Sequence, residues 1–397
     1  MTGDGAAVQG AFADARRALD LGGSRDFLTL TLLATLALSI GDYDAAVAAA
    51  DEAIAVTAGS STRQLSLALL AAASSFRPRG EERIMRLEGV HHVTAITGDA
   101  PRNVDFYARV LGLRLTAKTV NQDDPSVYHL FYGDELARPG ADVTFFEYPG
   151  AIPGRPGPGM VHRIVWRVAS PEALEFWARR LEAEGVSAER EGNALRFADG
   201  EGLGHELVVA SVADEPLIAD HPEVPAEVAL QGFEGVRAHS LRPESTAALL
   251  EQLMGARRRA DRTWELRGAA RGGWFALDEP PAERGRQSAG TVHHVAWATT
   301  DAEQGAWLQR LQDAGVPNSG IIDRHYFHSL YFREPGGVLF ELATEEPGFT
   351  VDGPVEELGR RIILPPWLEP QRAAVEARLT PLPDPRADWP AAARDAR

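Results

Sequence analysis

The stretch GVHHVTAITGDAPRNVDFYARVLGLRL, residues 89–115, runs from a short strand pattern through a helical segment into a second apolar strand pattern. Its opening recurs as TVHHVAWA at 291–298, and related openings stand at 160–166, MVHRIVW, and at 233–238, FEGVRA. Internal repetition of this kind indicates repeated supersecondary units. The sequence therefore predicts four βαβββ modules, at about 87–150, 159–211, 232–280 and 289–346.

The predicted modules imply curved sheets, because two such units together can enclose a cavity in which side chains from facing strands meet. Residues 89–115 and 291–298, with VYHLFYGDELARPGADVTFF at 127–146 and DRHYFHSLYFREPGGVLFELAT at 323–344, resemble the vicinal oxygen chelate superfamily. That superfamily includes glyoxalases, bleomycin resistance proteins and extradiol dioxygenases. Within it, the chain is most similar to hydroquinone-type ring-cleaving dioxygenases. The resemblance spans about 87–370 and implies an α+β fold of paired curved sheets around a metal.

The segments outside the modules complete the predicted domain organisation. The N-terminal region is rich in Ala and Leu at helical spacing and predicts an all-α extension with a tetratricopeptide-like hairpin. A start at Met85, with the preceding segment dispensable, is the alternative. We expect a helical extension at 1–84, modules one and two at 85–215, a linker at 216–231, modules three and four at 232–350, and a C-terminal tail at 351–397.

The composition limits the classes of function. The 397 residues carry a formal net charge of −17, which disfavours nucleic acid and anionic membranes as partners. The absence of cysteine removes disulfides, thiolate metal sites and cysteine nucleophiles. The longest apolar run, residues 27–40, is too short to span a bilayer and lacks the basic flank of a signal peptide. We therefore expect a cytoplasmic protein, with homo-oligomerisation left open.

Two His-His pairs, His91-His92 and His293-His294, stand at the start of the first and fourth modules. Because side chains alternate between the faces of a strand, we expect one member of each pair to point into the cavity, and periodicity does not say which. The resemblance selects His92 and His294 as metal ligands. It places His91 and His293 beside them as candidate catalytic residues.

The carboxylate ligand implied by the resemblance is Glu341, in the run PGGVLFEL at 335–342. An acid within an apolar strand is costly to bury unless it is paired or binds a metal. Two histidines and one carboxylate leave three positions open on a six-coordinate iron. The resemblance then implies Fe(II) as the cofactor, with Mn(II) as the alternative metal, and a small aromatic substrate together with O2.

The repeats also indicate where ligands are absent. At the positions equivalent to His92 and His294, modules three and two carry Ala238 and Arg163. We therefore expect the first and last modules to share the metal cavity. In the metal-free counterpart, we expect Glu206 to form an ion pair with Arg163.

The expected activity is that of an iron(II)-dependent ring-cleaving dioxygenase acting on a hydroquinone or catechol-type aromatic. Tyr331 and Arg324 match functional positions of the similar enzymes. A phenol at Tyr331 can donate a hydrogen bond to oxygen or substrate, and Arg324 can hold an ionised hydroxyl or a ring carboxylate. Weaker candidates, for which a packed or solvated role is expected, are His325, His328, His129 and Tyr128.

Two other functions remain open at this point. A glyoxalase-like lyase or isomerase would use Glu147, interpreted as the module-one counterpart of Glu341, as an additional ligand or base. A metal-free small-molecule binding protein of the same superfamily is the second alternative, although an intact ligand set argues against it.

Overall fold

The structure is a computed structural model that describes residues 85–387 and 389. The predicted helical extension at 1–84 lies outside the described residues. Two compact units divide the described chain: one holds Met85 with Thr300–Ile321, and the other holds Arg86–Thr299 with the residues from Ile322 onward.

The element order is four βαβββ modules in succession, as predicted. The first contains β1 (Val90–Thr97), α1 (Ala100–Val104, continued by π-helical turns over Asp105–Val110), β2 (Arg114–Val120), β3 (Tyr128–Gly133) and β4 (Asp142–Glu147). The second contains β5 (Met160–Val168), α2 (Pro171–Ala183), β6 (Ala188–Glu191), β7 (Ala194–Ala198) and β8 (Gly204–Val209). The third contains β9 (Phe233–His239), α3 (Pro243–Ala248, continued by π-helical turns over Leu249–Leu253), β10 (Arg257–Ala260), β11 (Thr263–Arg267) and β12 (Gly272–Asp278). The fourth contains β13 (Thr291–Thr299), α4 (Asp301–Asp313), β14 (Asn318–Asp323), β15 (Phe327–Arg333) and β16 (Leu339–Pro347).

The strands form two eight-stranded mixed sheets. The first sheet has the order β14-β15-β16-β13-β1-β4-β3-β2, so it combines modules one and four. Of β14, the last two residues, Ile322 and Asp323, belong to the compact unit that begins at Arg86. The second has the order β10-β11-β12-β9-β5-β8-β7-β6 and combines modules three and two. The expectation that the first and last modules lie together is therefore confirmed. In each sheet the opening strands of the two modules pair antiparallel at the centre, as β1 with β13 and as β5 with β9.

The central strands are buried on both faces. All eight residues of β1 are buried, and in β13 only one residue of nine, His293, is partly exposed. A strand covered on both faces has a near-continuous apolar sequence, so polar residues within it need partners or a ligand. The buried histidines of β1 and β13 therefore each need a hydrogen-bond partner or a bound ligand.

The chain after β16 packs along the free edge of the first sheet. It contains short helical turns at Phe349–Asp352, Val355–Glu357 and Glu369–Gln371, and the helix α5 (Arg372–Glu376). The Ile363 amide donates to the Lys118 carbonyl on β2, and the Lys118 ammonium donates to the Leu382 carbonyl at 2.8 Å. This tail thus covers part of β2. No helix among the described residues is long and apolar enough to cross a membrane.

Candidate metal centre

The pairing of β1 with β13 brings the two His-His pairs together. In the register of these antiparallel strands, His92 lies opposite Ala296 and Thr94 lies opposite His294. The register shifts between Val90 and His92, which marks a β-bulge at His91. Because His92 lies opposite Ala296, and Ala296 is two residues from His294 on the same strand, His92 and His294 lie on the same face of the sheet.

Three side chains converge on one point of that face. The Nε2 atoms of His92 and His294 lie 3.2 Å apart, and Glu341 Oε2 lies 3.2 Å from the first and 2.9 Å from the second. All three side chains are buried, and Glu341 is completely inaccessible to solvent. Among the described residues, this is the group of three His, Cys, Asp or Glu side chains whose donor atoms are close enough to hold one ion.

The arrangement fits a metal ion. Ligands in adjacent positions of an octahedral ion, at bonds of about 2.1 Å, are separated by roughly 3 Å, which agrees with the three observed separations. Neither oxygen of Glu341 accepts a hydrogen bond of ordinary geometry, although the carboxylate is buried. A buried carboxylate without such partners requires a cation. Two imidazoles and one carboxylate are the donor set of non-haem iron sites.

Hydrogen bonds behind the ligands leave both Nε2 atoms available. His92 Nδ1 lies 2.9 Å from His91 Nδ1, and His91 Nε2 lies 3.1 Å from the Thr344 carbonyl oxygen. The carbonyl can only accept, so His91 donates from Nε2 and accepts at Nδ1 from His92. His294 and His293 form the same contact, with their Nδ1 atoms 2.8 Å apart. Burial lowers the pKa of His91 and of His293 to about 3, so both remain neutral.

The predicted catalytic residues lie at different distances from the open space. His293, Tyr331 and Arg324 line the cavity in front of the ligands, whereas His91 is not among its lining residues. His91 instead contacts the Nδ1 atom of His92, so its position gives no support to the expected catalytic role. His293 and His294 both line the cavity, so the expectation that only one member of each pair points into it is not met for the second pair.

The cavity has a volume of about 350 Å³ and mostly aromatic walls. An apolar cavity of about 150 Å³ already accommodates benzene, so one substituted ring fits here. Side chains from both modules contribute, including Phe131, Phe146, Tyr326, Phe327 and Leu339. The Phe327 ring also packs against His91 and His92, with centroids 5.2 and 5.0 Å away.

Tyr331 connects the ligands to the rim of the cavity. It lies opposite Glu341 in the pairing of β15 with β16, and its ring meets that of His294 edge-on, with 5.7 Å between centroids. Burial raises the pKa of the Tyr331 phenol, so the hydroxyl remains a donor at neutral pH. The Arg324 guanidinium carbon lies 5.6 Å from the centre of the same ring.

Glu147 does not face this site, and the interpretation of Glu147 as the counterpart of Glu341 is wrong. Glu341 lies opposite Ala296, two residues after His294, whereas the residue opposite Thr94, two residues after His92, is Thr144. An offset of three residues places Glu147 on the other face of β4. There its Oε1 accepts a hydrogen bond of 2.9 Å from the Ala100 amide, at the start of α1.

Thr144 is the residue of module one that occupies the register position of Glu341. Its hydroxyl lies 2.8 Å from the Thr94 hydroxyl and 3.0 Å from His129 Nε2. His129 lines the cavity between the rings of Phe131 and Phe146. Thr144 was not recognised from the sequence, because its equivalence to Glu341 follows only from the strand register.

The remaining weaker candidates lie outside the cavity lining. Tyr128 is buried but is not a lining residue. His325 lies 2.7 Å from Asp352 of the tail, and the His328 amide donates to Thr344. A packed role, as expected, agrees with these positions. The loop at 121–123, which no sequence motif indicated, also forms part of the cavity wall.

The second sheet has an ion-pair cluster at the equivalent place. Arg163 Nη1 lies 3.2 Å from Glu206 Oε2, which confirms the predicted pair, and Arg196 contacts the same oxygen. Glu206 lies opposite Val165, two residues after Arg163, so it is the register equivalent of Glu341. Ala238, the sequence counterpart of His92, is buried. In this sheet, two arginine side chains supply positive charge beside the buried Glu206 carboxylate.

Comparisons with known proteins agree with this architecture. The family model of the glyoxalase/bleomycin resistance protein/dioxygenase superfamily matches residues 89–203 and 242–342. A Bacillus subtilis protein named as ring-cleaving dioxygenase MhqA is 41% identical over 319 residues, covering 75% of this chain and 100% of its own. The chlorohydroquinone/hydroquinone 1,2-dioxygenase of Sphingobium indicum is 33% identical over 303 residues, covering 72% and 93%. A crystal structure of a Bacillus subtilis protein named as a dioxygenase superposes with a TM-score of 0.71 at 40% identity, covering 75% and 98%.

Proposed function

Because the chain belongs to the glyoxalase/bleomycin resistance protein/dioxygenase superfamily, we propose that it is a non-haem, iron(II)-dependent ring-cleaving dioxygenase. Its substrates are O2 and a hydroquinone or catechol-type aromatic. Relatives named as ring-cleaving and hydroquinone dioxygenases, at 33–41% identity over most of their length, support this choice within the superfamily.

One observation carries the proposal. The candidate ligand atoms of His92, His294 and Glu341 lie within 4.8 Å of one another, both imidazoles line an aromatic-walled cavity, and the module-one position equivalent to Glu341 holds Thr144. Three protein ligands leave up to three positions open on a six-coordinate ion, enough for two substrate oxygens and O2. A fourth carboxylate would remove one of them.

Bound iron would supply the path for electrons between the aromatic ring and O2. The chain supplies orientation and protons. The aromatic walls hold the ring close to the ligand face and exclude water. The Tyr331 phenol, kept protonated by burial, and the His293 imidazole both line the same space and place polar groups there.

The hydrogen bonds behind the ligands support this role. Donation from His92 Nδ1 to His91, set by the Thr344 carbonyl, fixes the tautomer and orientation of that ring, and the matching contact between the Nδ1 atoms of His294 and His293 orients the second ring. His91 and His293 are thus positioning residues for the two imidazole ligands.

The alternative functions lose their supporting features. The lyase or isomerase function rested on Glu147 as a ligand or base, and Glu147 lies on the opposite face of β4. A binding protein without metal has no need for a completely buried carboxylate facing two imidazole nitrogens.

Oxygen consumption with a panel of hydroquinones and catechols tests the proposal. We expect protein loaded anaerobically with Fe(II) to consume one O2 for each ring opened, and Glu341→Ala to consume none. Turnover of a hemithioacetal without oxygen uptake would contradict the proposal in favour of the lyase function. Absence of bound metal after dialysis, with retained affinity for aromatics, would favour the binding protein.

A further inference from the structure

The cavity contains one ion pair at its rim. Apart from its histidines, the residues described as lining the cavity include two side chains that carry a full charge at neutral pH, Asp123 and Arg324. Asp123 belongs to the loop between β2 and β3, and Arg324 immediately follows β14. The Arg324 side chain is 22% exposed and the Asp123 side chain is 75% exposed. The pair therefore lies where the cavity meets solvent.

Asp123 binds both terminal nitrogens of the Arg324 guanidinium. Arg324 Nη1 lies 3.3 Å from Asp123 Oδ1, and Nη2 lies 3.1 Å from Oδ2. Two parallel contacts of this kind are the arrangement by which arginine binds a carboxylate. The neighbouring Gln122 side chain also donates to the Arg324 carbonyl at 2.8 Å. The loop thus holds both the backbone and the side chain of Arg324.

A ring substituent would meet this pair directly. Arg324 covers the Tyr331 ring, and Tyr331 packs against the ligand His294. Arg324 and His294 thus line the same cavity on either side of the Tyr331 ring, so a substituent that extends from the ligand face past Tyr331 would approach the guanidinium. A carboxylate there must displace Asp123 from Arg324 and also lies close to its negative charge, whereas a methyl or chloro group does neither.

We propose that Asp123 determines which ring substituents the cavity accepts, an inference that rests on the proposed function. By occupying Arg324, it reserves the cavity for hydroquinones whose ring substituents are uncharged. Removing the charge of Asp123 frees the guanidinium for a ring carboxylate.

The test compares two substrates of similar size, methylhydroquinone and 2,5-dihydroxybenzoate, by their kcat/KM ratio. We expect the wild type to prefer methylhydroquinone. Asp123→Asn should shift the ratio towards 2,5-dihydroxybenzoate by about ten-fold or more, ~1.4 kcal/mol. Asp124→Asn is the matched control, since Asp124 carries the same charge in the same loop but binds Ser126 and does not line the cavity. It should leave the ratio unchanged.

A double variant tests the part played by Arg324. In Asp123→Asn/Arg324→Gln, the gain for 2,5-dihydroxybenzoate should disappear. A gain that persists without Arg324, a wild type that uses both substrates equally, or an equal shift in Asp124→Asn would each overturn the proposal.

A binding measurement tests the role of Asp123 independently of the proposed function. Dissociation constants of 2-methylphenol and 2-hydroxybenzoate, measured by calorimetry, need no turnover. If the wild type consumes no oxygen, the function is wrong, and the shift in this binding ratio between wild type and Asp123→Asn still decides the role of Asp123.

Discussion

The two imidazole ligands depend on the residues that precede them. His91 bonds to His92 on one side and to the Thr344 carbonyl on the other, so a chain of hydrogen bonds connects a candidate ligand to β16. His293 gives His294 the same support from a position at the cavity edge. A residue that fixes the tautomer of a ligand affects metal affinity without touching the metal.

The first prediction separates ligands from supporting residues. His92→Ala, His294→Ala and Glu341→Ala should each lose most bound iron and essentially all oxygen uptake, because each removes one of three donors. His91→Ala and His293→Ala should weaken metal affinity or activity by about 10–100-fold. Metal content after dialysis measures the difference, with circular dichroism as the control for folding. An empty site in His91→Ala beside a filled site in His92→Ala would reverse the assignment within the pair.

A second prediction concerns the position that Thr144 keeps free of a carboxylate. Thr144→Glu introduces a carboxylate at the register equivalent of Glu341, so the variant should retain metal but lose oxygen uptake by about 100-fold or more. Thr144→Ser is the control, because it keeps the hydroxyl that meets Thr94 and His129. Full oxygen uptake by Thr144→Glu would show that this position does not border the open coordination sites.

The strand β4 serves two environments through its two faces. Thr144 and Phe146 face the cavity side, while Glu147 meets the first turn of α1. The first amides of a helix have no partner within the helix, and an acid at that end is also favoured by the helix dipole. The face of the strand on which an acid lies therefore decides whether it reaches the cavity or caps a helix, and the apolar composition of the strand does not.

The third prediction follows from this placement of Glu147. Glu147→Ala removes the acceptor of the Ala100 amide and should lower the free energy of unfolding by about 1 kcal/mol. Iron content and oxygen uptake should be unaffected. Glu147→Gln keeps an acceptor oxygen and should be closer to the wild type in urea unfolding. Loss of iron in either variant would restore Glu147 as a ligand.

At the scale of the whole described chain, the second sheet has charged pairs at the place where the first sheet has its candidate ligands. Besides Arg163 and Glu206, the buried Asp214 connects strands of modules two and three. It accepts hydrogen bonds from Arg167 of β5 at 2.7 Å, from Arg267 of β11 at 2.6 Å and from the Gly272 amide of β12. A segment between two modules thus contributes to the sheet they share.

The fourth prediction is a pH dependence of stability. Burial raises the pKa of Asp214, but its hydrogen bonds from Arg267 and Arg167 outweigh this and bring the pKa to about 2. Because the pKa is lower in the folded state, the carboxylate stabilises the fold above about pH 4, and this contribution is lost as the pH falls through about 2. Asp214→Asn should therefore lower the free energy of unfolding at pH 7 by roughly 2 kcal/mol.

The difference between wild type and Asp214→Asn should shrink as the pH falls from 4 towards 2. Urea unfolding at a series of pH values measures it. Asp220→Asn, on the exposed part of the same segment, is the control and should show no such dependence. An equal loss of stability for Asp214→Asn at every pH would show that packing, and not the charge, is responsible.

Local sequence patterns were sufficient for the four modules and for the two His-His pairs. Strand and helix periodicities are local, and the repeated openings of the modules made the four units visible without any knowledge of their packing. The loss of histidines at Ala238 and Arg163 even indicated which modules pair. Spacing alone left the choice within each His-His pair open, and the resemblance to a family supplied it.

Only the tertiary structure decided between Thr144 and Glu147, and only it revealed Asp123 beside Arg324. The first depends on strand register, where an offset of one residue exchanges the two faces of the sheet. The second joins residues about 200 positions apart in sequence through a loop whose path no periodicity describes. Contacts between distant segments follow from packing as a whole, so the candidate ligands could be named from short motifs and a family resemblance, whereas the side chains around the cavity could not.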